Sequence, residues 1–127
     1  MNYRILVVDD SKLARMAVAK LLNTVRPDWT RIEAGNADEA LALTKSDAFD
    51  LAIIDYNMPG RDGLTLAGEM LALKPAIPLA VISANHQVEV VTRAHEVGAT
   101  FLQKPLTAKA LGDFAADAAK RLAPGAS

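Results

Sequence analysis

The chain has 127 residues, no cysteine and a formal net charge of -1 from 14 basic and 15 acidic side chains. That length suits one domain, 51% hydrophobic residues can build a core, and the balanced charge without like-charge blocks argues against a nucleic-acid or polyanion surface. Lack of cysteine excludes a disulfide framework, a thiolate zinc site and a thiol nucleophile, and no apolar run approaches the roughly 18 residues of a membrane span.

The N-terminal "MNYRILVV" runs straight into acids, so it reads as a strand and not as a signal peptide, and a cytoplasmic protein is expected. "ILVV" (5–8) is a continuous β-branched-rich run. Ala14, Ala17, Val18, Leu21, Leu22 and Val25 follow at helical spacing and predict a core-facing helix. "TRIEA" (30–34) reads as a second strand. Asn36, with Glu39 three positions on, predicts the N-cap of a second helix through a variant capping box.

"FDLAIID" (49–55) is the third predicted strand, and after the turn cluster "YNMPGRDG" the helix "LTLAGEMLAL" is stopped by Lys74 and Pro75. "IPLAVIS" (77–83) is the fourth strand, "HQVEVVTRAHEVG" a helix capped by Gly98, and "ATFLQ" a short fifth strand. The last helix runs from about Thr107 to Leu122, with Leu111, Phe114, Ala115, Ala118 and Leu122 on one stripe; "APGAS" (123–127) is a short flexible tail. Five strand-helix pairs predict a doubly wound α/β domain over residues 3–122, with a five-stranded parallel sheet covered on both faces.

Right-handed crossovers bring every strand's C-terminal end to one edge, where open α/β sheets bind ligands. Asp9 and Asp10, Asp55, Ser83 and Lys104 all fall there. Each has a plain structural alternative. Asp9 or Asp10 can cap the first helix, Ser83 can be a turn residue, and Lys104 can be a solvated lysine. Asp55 ends a strongly apolar strand, where a carboxylate faces a desolvation cost unless compensated. Three converging carboxylates need either a raised pKa or a cation, and an all-oxygen set suits Mg²⁺.

The motifs "VVDDS" (7–11), "IIDYNMPGRDG" (53–63), "VISA" (81–84) and "GATFLQKPL" (98–106) resemble, in order and spacing, those of the receiver domain of bacterial two-component response regulators. Size and layout resemble the stand-alone chemotaxis type, over about residues 3–122. The resemblance implies the flavodoxin-like strand order 2-1-3-4-5, with Asp55 as acceptor of a phosphoryl group from a histidine kinase or histidine phosphotransfer protein. It further implies Mg²⁺ held by Asp9, Asp10, Asp55 and the backbone carbonyl of Asn57, with Lys104 and the Ser83 hydroxyl on the phosphoryl oxygens. The family often carries threonine where this chain has Ser83.

By the same resemblance, Lys104–Pro105 is a cis peptide, and Ser83 and Phe101 form a switch. That switch remodels a protein-docking face on the fourth helix, fifth strand and fifth helix, bearing Gln87, Glu89, Arg93, Glu96, Gln103 and Lys109. Asn57 and Asn85 flank the path of attacking water and tune the lifetime of the phosphorylated form. Without an acid at either position, moderate to slow self-dephosphorylation is expected. His86 and His95 have no acid or hydroxyl partner at obvious spacing and receive no role. A monomer or weak dimer is expected, acting without nucleic acid.

Three other readings stand beside this one. An Asp-nucleophile, metal-dependent phosphohydrolase uses similar groups, but with its second acid two residues after the nucleophile and a substrate-recognising cap. A binding-only module, or a receiver belonging to a larger kinase or transcription factor, fits if "APGAS" is linker. A phosphate sink fits with no output at all.

Overall fold

The computed structural model describes residues 2–84 and 87–123. Its strands are β1 (Arg4–Val8), β2 (Thr30–Ala34), β3 (Leu51–Asp55), β4 (Leu79–Ser83) and β5 (Thr100–Gln103). They form one parallel sheet in the order β2-β1-β3-β4-β5. The helices are α1 (Lys12–Val25), α2 (Ala37–Lys45), α3 (Gly63–Leu73), α4 (Val88–Val97) and α5 (Ala108–Leu122). The expected flavodoxin-like α/β architecture is therefore present.

Continuous apolar strands are needed because each face of the sheet has its own core. Leu6, Val8, Ala52, Ile54, Leu79 and Val81 pack with Leu66, Met70, Val90 and Ala94 on one side. The alternating partners Ile5, Val7, Leu51, Ile53 and Ile82 pack with Val18, Leu22, Leu111 and Phe114 on the other. Period-two alternation thus sends neighbouring residues into two different interiors, and neither set tolerates a polar side chain.

Local signals place the helix ends. Asn36 accepts from the Glu39 amide at 2.8 Å while the Glu39 carboxylate accepts from Gly35 N–H at 3.2 Å, so the second helix starts on a reciprocal cap. Gly98 sits at φ 91° in the left-handed region and closes α4 by donating to Ala94 and His95 carbonyls. Lys104–Pro105 is cis.

Several expected boundaries shift. The fourth strand starts at Leu79, because Pro78 has no amide to give the ladder, although its carbonyl accepts from Ala52 N–H at 3.1 Å. The third starts at Leu51 and the fifth at Thr100. The fifth helix begins at Ala108, with Thr107 outside it as the N-cap, its hydroxyl accepting from Ala110 N–H at 3.1 Å.

On α1 the predicted core stripe is only partly covered. Val18 and Leu22 are buried, Ala14, Leu21 and Val25 are half-buried, and Ala17 is exposed. The Ala14–Ala17–Leu21 edge borders an apolar groove of about 510 Å³ whose opposite wall is Pro105 and Leu106. Residues 124–127 of the tail lie outside the described residues.

Candidate functional site at the carboxyl edge of the sheet

The sheet register brings the acids together. Val8 pairs with both Ala34 and Ile54, so the residues following β1 and ending β3 emerge side by side. Asp9 N–H donates to the Ala34 carbonyl at 3.1 Å, and Asp9 Oδ1 accepts from Ser11 N–H at 2.9 Å. Ser11, and neither acid, is the N-cap of α1, its hydroxyl accepting from Ala14 N–H at 3.2 Å. The capping alternative for Asp9 and Asp10 therefore falls away, and both carboxylates remain for other work.

Carboxylate oxygens of Asp9, Asp10 and Asp55 all lie within 4.8 Å of one another. Asp9 and Asp55 are buried, while Asp10 is exposed. Lys104 Nζ stands 2.8 Å from Asp55 Oδ1. Asp55 Oδ1 is buried and, apart from this ion pair, has no hydrogen-bond partner among the described residues. Burial pushes the Asp9 carboxyl above its usual value, reinforced by Asp55 and Asp10 and opposed by the Ser11 amide and Lys104. One lysine against three acids leaves unbalanced negative charge in a partly dry site, and an all-oxygen donor set in which Asp55 Oδ1 accepts no hydrogen bond fits a hard divalent cation.

Ser83 ends β4 and is fully buried; its carbonyl accepts from Lys104 N–H at 3.0 Å, which ties the lysine's backbone to the serine. Val81 is the register partner of Phe101, and Ser83, two residues on, shares the Val81 face of the sheet. Phe101 is half-buried against the core beneath α3 and α4. Ser83 and Phe101 thus face the same layer. Asn57 is exposed in the loop after β3, whereas Asn85 and His86 lie outside the described residues. His95 is exposed on the last turn of α4.

On the α4, β5 and α5 side, Gln87, Glu89, Arg93, Glu96, Gln103 and Lys109 are exposed. Two of these charged side chains form ion pairs. Arg93 Nη2 lies 3.7 Å from Asp62 Oδ2, and Lys109 Nζ lies 3.0 Å from Asp113 Oδ2.

Two site neighbours escaped the sequence reading. Gly63, the first residue of α3, packs onto the Asp55 backbone; its only signal was its place in the turn cluster. Arg15 lies 2.8 Å through Nε from Glu33 Oε1 and donates through Nη1 to the Asp9 carbonyl oxygen. Nothing in a lone arginine on a helix discloses a bond to a backbone atom six residues earlier.

Fold and site together define a flavodoxin-like α/β protein with an acidic centre and a lysine at its sheet edge. Residues 5–115 match the model of the response regulator receiver domain, and the chain belongs to that family of phosphoacceptor domains in two-component systems. It is 38% identical over 107 residues to the transcriptional regulatory protein PdtaR of Mycobacterium tuberculosis, covering 82% of this chain and 50% of that one. Chemotaxis protein CheY-3 of Vibrio cholerae is 33% identical over 113 residues, covering 87% of this chain and 86% of its own. The structure of Vibrio cholerae chemotaxis protein CheY4 superposes with a TM-score of 0.81 at 26% identity, over 93% of this chain and 99% of that one. The chain thus spans half of PdtaR's length. Among the described residues no helix is long and apolar enough to cross a membrane.

Proposed function

We propose that Asp55 accepts a phosphoryl group from the phosphohistidine of a histidine kinase or histidine phosphotransfer protein, and that this switches a protein-docking face. The observation that carries the reading is the 2.8 Å approach of Lys104 Nζ to Asp55 Oδ1 at the centre of three converging carboxylates. An Asp55 oxygen attacks phosphorus, the P–N bond breaks, and its electron pair stays on the imidazole nitrogen. Water later attacks the phosphorus of the acyl phosphate, restoring the carboxylate and releasing inorganic phosphate.

In phosphoryl transfer the site's task is to position and neutralise charge spread over the equatorial oxygens. Lys104 already stands at the attacking carboxylate and needs only to follow the incoming group. The Ser83 hydroxyl donates to a second phosphoryl oxygen. Asp9, Asp10, Asp55 and the Asn57 carbonyl hold Mg²⁺, which when bound supplies the positive charge that offsets both the acid cluster and the phosphoryl oxygens.

Because Lys104 and Ser83 share a backbone hydrogen bond and Ser83 shares a sheet face with Phe101, closure on a phosphoryl group biases the α4, β5 and α5 surface. Asn57 and Asn85 set the lifetime of that state. The protein acts in the cytoplasm as a monomer or weak dimer on a protein target, without nucleic acid. A phosphohydrolase is disfavoured because the acceptor ends the third strand and nothing among the described residues covers the site as a substrate-recognising cap.

Intact mass after incubation with acetyl phosphate, with and without Mg²⁺, tests this on the wild type and on Asp55→Asn. A metal-dependent gain of one phosphoryl group that disappears in the variant is expected. No gain under any condition favours a binding module that works without phosphorylation.

A further inference from the structure

Asp9 is gripped at three points, its N–H, its carboxylate and its carbonyl, and only the grip on the carbonyl, which is part of the Asp9–Asp10 peptide, comes from a side chain that the chemistry above leaves unused. Asp9 N–H is held by the Ala34 carbonyl at the end of β2, and its Oδ1 by Ser11 N–H. The carbonyl of the same residue accepts from Arg15 Nη1. Arg15 itself is fixed at both ends. Its amide donates to the Ser11 carbonyl at 3.0 Å, and its Nε donates to Glu33 Oε1 at 2.8 Å. The side chain is only 17% exposed, against 46% for Glu33. Glu33 immediately precedes Ala34, so β2 holds Asp9 twice, directly through a carbonyl and indirectly through this guanidinium.

A planar fork can serve a carbonyl and a carboxylate at once, and a charge-assisted bond to a backbone carbonyl sets the rotation of that peptide plane. The plane in question joins Asp9 to Asp10. Asp10 is exposed, and apart from its membership of the acid cluster nothing described fixes its carboxylate. The direction in which the Asp10 side chain leaves the backbone is therefore set by the peptide that Arg15 holds.

We infer that Arg15, braced by Glu33, is a positioning residue for the divalent cation: it orients the Asp9–Asp10 peptide so that both carboxylates converge with Asp55. The inference rests on reading the acids as a Mg²⁺ site. Outer partners of this kind change metal affinity by about 10- to 100-fold when removed. Charge and positioning also predict opposite signs here. Deleting a cation beside three acids strengthens Mg²⁺ binding if charge is all that Arg15 contributes, and weakens it if Arg15 holds the ligands in place.

The test is Mg²⁺ affinity by isothermal titration calorimetry on the full chain, with no phosphodonor present. Wild type, Arg15→Ala, Arg15→Lys, Glu33→Gln and the ligand control Asp10→Asn are compared, each checked for cooperative urea unfolding. The expected result is about tenfold weaker binding for Arg15→Ala and an intermediate loss for Arg15→Lys, whose single ammonium cannot serve both partners. Glu33→Gln keeps the acceptor oxygen and stays within about twofold of wild type. Unchanged or tighter binding by Arg15→Ala overturns the inference while leaving the receiver reading intact. Should that variant fail to unfold cooperatively, Arg15→Lys decides, and wild-type affinity there overturns the inference. A wild type that binds no Mg²⁺ overturns the inference together with the metal-site reading.

Discussion

Gly63 stands so close to Asp55 that a Cβ added to the glycine would lie 2.4 Å from the Asp55 carbonyl oxygen and 2.8 Å from Tyr56 Cα. These are backbone atoms at the end of the sheet's central strand, and they cannot swing away as a flexible side chain would. Gly63 N–H also donates to the Tyr56 carbonyl at 2.8 Å, so α3 begins directly on the residue following Asp55. Gly63→Ala is expected to cost about 2–4 kcal/mol, measured by urea unfolding, and to slow phosphorylation by displacing Asp55.

Replacing Lys104 by methionine keeps most of the stem and removes the ammonium. Asp55 then loses its only ion-pair partner among the described contacts. Removal of one preorganised charge from a transferring phosphoryl group typically costs about 10²–10³ in rate, and a loss in that range from acetyl phosphate is expected by intact mass. Mg²⁺ binding should persist, because Lys104 contributes no oxygen ligand.

At the opposite end of the sheet, Asp50 accepts from Arg4 N–H at 2.8 Å and pairs with its guanidinium at 3.2 Å. Burial alone would push the Asp50 carboxyl up, but hydrogen bonds from the Arg4 side chain and backbone, with its charge, together hold it below 3.8. A lowered folded-state value stabilises the fold above 3.8 and loses that contribution as pH falls through the folded value. Asp50→Asn should thus be less stable than wild type near neutral pH, and the gap should close in strong acid. Arg4 is 45% exposed, so screening limits the gap to about 1 kcal/mol or less. Urea titrations at stepped pH check this.

Arg93 leans on Asp62, the N-cap of α3, whose Oδ1 accepts from Thr65 N–H at 2.8 Å. The 3.7 Å pair is half-exposed and contributes under about 0.5 kcal/mol, whereas the cap contributes about 1 kcal/mol. Arg93→Glu should leave unfolding nearly unchanged, Asp62→Asn likewise, and Asp62→Ala should cost about 1 kcal/mol. A target that still binds phosphorylated Arg93→Glu at wild-type strength docks elsewhere.

Asn57, two residues after the proposed acceptor Asp55, offers an amide and not an acid, so it cannot act on water as a general base. Decay of the phosphorylated form, followed by intact mass after donor removal, should take minutes or longer; a lifetime of seconds would contradict this reading. Asn57→Glu should shorten it.

What the sequence determined by itself is local or periodic. Alternating apolar runs and helical stripes predict the five strands, the five helices and the parallel sheet. Asn36 with Glu39 predicts a cap, Gly98 a helix end, and the four motifs name Asp9, Asp10, Asp55, Ser83 and Lys104. These signals survive because backbone period and capping chemistry act over a few residues. Tertiary structure decided the rest. Ser11, and not its neighbouring acids, caps α1, while Asp9 is held by β2; Ala17 is exposed along a groove that Pro105 and Leu106 also line. Gly63 beneath Asp55 and Arg15 behind the Asp9 carbonyl depend on how separate elements approach in space, and no period in the sequence records such contacts between a side chain and a distant backbone.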